Sequence, residues 1–111
     1  MTTTDRELLE RAAKAAGIEL KGWTSISGHD EAVIGFDAYS VETWNPLTDD
    51  GDAFRLAVTR RFTVAIRPHE VEVFCEASGE CLASVHTNGV SHEEATRRAI
   101  VIAAAMAGEG E

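Results

Sequence analysis

The sequence predicts a single domain that mixes helices and strands (α+β or α/β), in the order α-β-β-α-β-β-β-α, with a mainly antiparallel sheet packed by three helices. Three observations carry this expectation. Helix-start signals stand near the amino terminus, in mid-chain and before the last apolar run. Strict alternation of apolar and polar residues runs from Phe62 to about Thr87. A length of 111 residues with 44% hydrophobic content is one domain's worth of chain, able to bury a core without metal or disulfide. Residues 1–4 and 108–111 are expected to fray.

The first helix is predicted over Asp5 to Ala16. Thr4-Asp5-Arg6-Glu7 forms a capping box, Leu8, Leu9, Ala12, Ala13 and Ala16 share a side, and Gly17 suits a left-handed C-terminal residue. A hairpin follows, with Trp23 in its first strand, a turn at Gly28-His29-Asp30 and an apolar run from Ala32 to Phe36. Asp37 to Thr43 connects it, with room for one brief strand, to Trp44.

The stretch from Trp44 to Val58 is the corner on which the chain turns. Asn45 precedes proline and is pushed out of the helical region, and Pro46 has a fixed φ and no donor. Thr48 or Asp49 can cap a second helix, with Asp50 and Asp52 near its positive end. Ala53, Phe54, Ala57 and Val58 then fall at the spacing of one helix face. The three aspartates do not form a calcium loop, because Gly51 comes too early and no bidentate glutamate follows at the required distance.

In the meander, Arg67-Pro68-His69-Glu70 makes a turn that sets Ile66 opposite Val71 and Val64 opposite Val73. A three-residue loop Ala77-Ser78-Gly79 would match Val71, Val73 and Cys75 with Val85, Ala83 and Cys81. It would also set Phe74 across from Leu82 on the other face. Ser91-His92-Glu93-Glu94 caps a final helix to about Ala107, whose stripe of Ala95, Ala99, Ile102, Ala103 and Met106 suits packing on a sheet.

A formal net charge of −9 repels phosphate backbones and anionic lipid, which argues against nucleic-acid or membrane partners. The amino terminus carries no signal-peptide pattern, so the expected location is cytoplasmic, with both cysteines as thiols. No zinc set, activated nucleophile or phosphate loop is legible. Cys75, Cys81 and His86 fit zinc by type but not by strand parity, and Ser91 is better used as a cap. The expected catalytic, cofactor-binding and metal-ligating sets are therefore empty.

Trp44-Asn45-Pro46-Leu47-Thr48-Asp49-Asp50-Gly51-Asp52-Ala53-Phe54-Arg55-Leu56-Ala57-Val58, with Ala95-Thr96-Arg97-Arg98-Ala99-Ile100-Val101 and the Glu7-Leu8-Leu9 helix, resembles small phage and prophage proteins described as phage α/β/α sandwich domains. The resemblance implies a three-layer α/β/α fold and a phage or prophage origin, and brings no activity or functional residues. A small acidic accessory protein that binds a host or phage protein, as a monomer or small homo-oligomer, is the leading expectation. Its candidate partner-binding residues are Trp44, Asp37, Phe74 and Leu82. An orphan enzyme drawing on Asp37, Glu42, His29 and His69, or a DNA-mimic inhibitor, are the alternatives.

Overall fold

The structure, a computed structural model, describes residues 4–26, 29–36 and 39–109. Its elements are α1 (Asp5–Ala16), β1 (Gly22–Ile26), β2 (His29–Phe36), β3 (Val41–Trp44), α2 (Asp50–Arg60), β4 (Phe62–Ile66), β5 (Glu70–Cys75), β6 (Cys81–His86) and α3 (His92–Glu109). The expected α+β class and element order stand, and β3 fills the place of the brief strand. The strands divide between two antiparallel sheets, β1-β2-β3 and β4-β5-β6.

The helix termini follow from local chemistry. Thr4 Oγ1 accepts from the Glu7 amide at 3.1 Å, and Gly17 closes α1 with φ 73°. Asp49 Oδ1 accepts from the Asp52 amide at 3.1 Å, so the second helix is capped by Asp49. Ser91 Oγ accepts from the Glu94 amide at 3.1 Å. The helix α3 continues through Glu109, two residues past its expected end.

Two expectations about packing are corrected. The final helix was expected to bury one stripe, yet Ala95, Ala99, Ile100, Val101, Ala103, Ala104 and Ala105 are all buried. At about 100° per residue these positions circle most of the helix. The reason is that α3 is enclosed, with α1, α2, β5 and β6 all packed against it. Met106, placed on the stripe, is 52% exposed.

The second correction is the register of the β5–β6 hairpin. Ile66 faces Val71 and Val64 faces Val73 as expected, and so do Val71 and Val85, and Val73 and Ala83. Beyond Val73 the ladder shifts, so that Phe74 pairs with Cys81. The Cys75 amide donates to Glu80 O at 2.9 Å, and the Gly79 amide to Cys75 O at 2.7 Å. The loop is therefore four residues, Glu76 to Gly79, with Gly79 left-handed at φ 71°. A bulge at Leu82 absorbs the extra residue and restores the apolar matching below it. Neither Cys75 opposite Cys81 nor Phe74 opposite Leu82 survives this shift. Of the expected first hairpin turn, Gly28 lies outside the described residues, while His29 and Asp30 belong to β2 and pair with Ile26 and Ser25.

The mid-chain corner is held by a buried carboxylate. Asp52, 9% exposed, accepts from the Asn45 amide at Oδ2 (2.9 Å) and from Arg55 Nη2 at Oδ1 (2.6 Å). Asn45 Oδ1 accepts from the Leu47 amide at 3.0 Å, and Asn45 O from the Thr48 and Asp49 amides. The aspartates at 49 and 52 thus have distinct tasks, cap and corner pin. Asp49→Ala should lower the unfolding free energy by about 1 kcal/mol. Asp52→Ala, which leaves the Asn45 amide buried without its acceptor, should cost about 2–3 kcal/mol. Denaturant titration of both variants checks the order, and millimolar calcium or magnesium should leave the melting temperature of the wild type unchanged.

Candidate interaction groove

The corner decides which way α2 faces. Asp52 and Leu56 are buried and Arg60 half-buried, and Arg60 Nη1 donates to Ala15 O at 2.9 Å. These residues recur every fourth position, so one line down the helix is fixed to the corner and to α1. Phe54 and Val58 lie two positions from it, about half a turn around. They are 69% and 59% exposed, while Ala53 on the same expected face is buried and Ala57 half-buried.

Both side chains line an open groove of about 710 Å³ between α2, β4 and α3. Ala53, Ala57, Phe62, Val64 and Ile100 make its apolar floor, and Ile66, 62% exposed, stands with Phe54 and Val58 at the mouth. Asp50, Arg61, His92, Glu93, Thr96 and Arg97 supply polar atoms around it. Arg97 braces one wall, donating from Nε to Leu47 O at 2.9 Å and from Nη1 to Asp50 Oδ1 at 2.7 Å. His92 Nε2 lies 3.1 Å from Arg67 O and 3.2 Å from Pro68 O, which ties the start of α3 to the β4–β5 turn. An apolar volume of this size suits a hydrophobic side-chain cluster or a small apolar ligand.

The residues singled out from sequence fall elsewhere. Trp44 is 4% exposed and belongs to the core, so its ring offers no surface. Asp37 lies outside the described residues. Leu82, the bulged residue, packs against the core, while Phe74 is half-buried on the outer face of β5. The bulge parts this pair, which was expected to form one apolar centre. Glu42 lies on β3 beside a 460 Å³ polar pocket whereas His69 is exposed in the β4–β5 turn, so these two members of the acid–histidine set do not share a site. The groove residues are legible as apolar in the sequence, but periodicity gives a helix or strand face without saying which neighbour covers it.

The cysteines are free thiols on opposite faces of sheet β4-β5-β6. Cys81 Sγ reaches Ala83 O at 3.4 Å and lies 4.0 Å from Glu72 Oε2 on the outer face. Among the described residues no three of histidine, cysteine, aspartate and glutamate are grouped to hold a metal. The Arg67 guanidinium is pushed up by its hydrogen bond to Glu72, at 2.6 Å, and by that carboxylate's charge. The Cys75 thiol is held below the ordinary thiol value, first by the Ser78 amide, then by the Ser78 hydroxyl and the Ala77 amide, outweighing desolvation and the charge of Glu80. Among the described residues no helix is long and apolar enough to cross a membrane. The chain matches no protein-family profile, no curated protein and no solved structure.

The turn amides favour the thiolate of Cys75, so its alkylation by iodoacetamide should rise to half its plateau at a pH below that of an ordinary thiol. Mass spectrometry of the native protein reads this rate residue by residue. Mild oxidation should leave Cys75 and Cys81 unlinked within one chain, since the shifted register turns their side chains apart.

Proposed function

We propose that this protein is a small acidic binding module that acts by docking another polypeptide chain in the groove between α2, β4 and α3. The observation that carries the reading is the gathering of Phe54, Val58 and Ile66 at one mouth, each more than half exposed. Leaving such side chains in water forgoes part of the about 1.5–3 kcal/mol that full burial of each would supply, and a docked chain would recover some of it. A polar rim around an apolar centre is also the anatomy of a protein interface. The charge of −9 supports a protein partner over nucleic acid or a membrane surface.

The resemblance of the Trp44–Val58 segment to phage α/β/α sandwich proteins supports an accessory role in phage or prophage biology, in the host cytoplasm. The groove, rather than the neighbourhood of Trp44, Asp37, Phe74 and Leu82, is the surface on which that role is best placed.

The test compares wild type with Phe54→Asp and Val58→Asp in affinity capture from host lysate, with circular dichroism as the check on folding. Both side chains are exposed, so the variants should stay folded while losing the captured partner. Retention of every partner by both variants, or turnover of a small-molecule substrate by the wild type, would contradict the reading.

A further inference from the structure

The β4 wall of the groove carries a second kind of unmet capacity. The Arg67 amide donates to Glu70 O at 2.8 Å across the turn, which marks Arg67 and Glu70 as a hydrogen-bonded pair. Hydrogen-bonded and non-bonded pairs alternate along an antiparallel ladder. Ala65 with Glu72 and Thr63 with Phe74 are therefore bonded, whereas Phe62, Val64 and Ile66 direct their amides and carbonyls away from β5. The Cys75 bond to Glu80 and the Thr87 bond to His69 on the far side of β5 agree with this phase. β4 is the outer strand of its sheet, and among the described residues nothing hydrogen-bonds to its free edge. The other outer strand, β6, is interrupted by the bulge at Leu82, a device that discourages strand pairing. β4 is unbroken.

From this we infer that the occupant of the groove is a second copy of this chain, its β4 adding antiparallel to β4 with Val64 opposite Val64 of the second copy. The inference rests on the reading of the groove as a protein-binding face and names what fills it. Centred there, Phe62 meets Ile66 of the other copy, and the outward amides of each strand meet the outward carbonyls of the other. The side chains of Phe62, Val64 and Ile66 then lie over the exposed Phe54 and Val58. This register sets Arg61 across from Arg67 of the other copy, whose guanidinium is already paired with Glu72 at 2.6 Å, which leaves Arg61 to the groove side. Arg61 stands at the Phe62 end of the groove, and Glu93 at the Ile66 end, next to the histidine that holds the turn. Antiparallel pairing brings Arg61 of each copy to Glu93 of the other, two opposite-charge contacts created by one two-fold axis. The result is a continuous six-stranded sheet.

Sedimentation equilibrium of the full chain, wild type and variants, tests this. The wild type should be a dimer. Val64→Pro removes an amide that points out of the sheet, so the fold should survive while dimerisation is lost. Arg61→Glu and Glu93→Arg should each weaken the dimer by about tenfold or more, two attractive pairs having become repulsive, and the double variant should regain it. A wild type that stays monomeric at its highest soluble concentration, or a dimer indifferent to all four variants, overturns the inference. A monomeric wild type whose Phe54→Asp variant still loses another protein would sink only the second copy as occupant. Loss of neither would sink the protein-binding reading as well.

Discussion

The fold depends on the close packing of α1 and sheet β4-β5-β6 around α3, which small enclosed side chains permit. Ala99, Ala103 and Ala104 of α3 have no exposed surface, and Ala12 and Ala13 of α1 are equally enclosed. Interiors pack at crystal-like density, so a helix whose enclosed positions are alanines lets its neighbours come near and leaves no room for a larger residue. With α1 seated on one side and sheet β4-β5-β6 on another, α3 becomes the axis of the domain. Every other element is then placed by how it reaches that axis.

The groove follows from the same constraint. The helix α2 cannot lie flat on α3 with its most apolar face, because its rotation is fixed by the Asp52 bond to Asn45 at one end and the Arg60 bond to Ala15 at the other. Two polar anchors outweigh the burial of Phe54 and Val58, and those side chains turn outward beside a sheet edge. A buried carboxylate that leaves its helix for the backbone amide of a preceding loop is a costly arrangement when broken. That cost makes the orientation of α2 single-valued and the exposed face a fixed property of the surface.

Much of the architecture was readable from local chemistry. All three helix starts are set by side-chain caps at Thr4, Asp49 and Ser91, and the β4–β5 register by a proline turn with matched valines. What was not readable involved choices between neighbours distant in sequence. Period-two alternation could not show that one extra loop residue would be offset by a bulge at Leu82, since both registers satisfy the inner face from Val73 downward. Helical periodicity identified Phe54 and Val58 as apolar, but the competing pull of Asp52 is invisible until Asn45 is known to lie within reach. Trp44 illustrates the converse, for its place before a proline corner suits an interaction anchor and a core residue equally, and the fold uses it as core.

The claim that alanine-sized contacts along α3 set the fold is tested most directly by enlarging one of them. Ala99→Leu adds apolar volume and no polar group, in a helix whose propensity leucine serves almost as well as alanine. Equilibrium denaturation of this variant should show a loss of about 1–3 kcal/mol, from overpacking at a site that has no space to give. Unchanged or increased stability would mean that α3 has room to spare at Ala99, and would contradict the account.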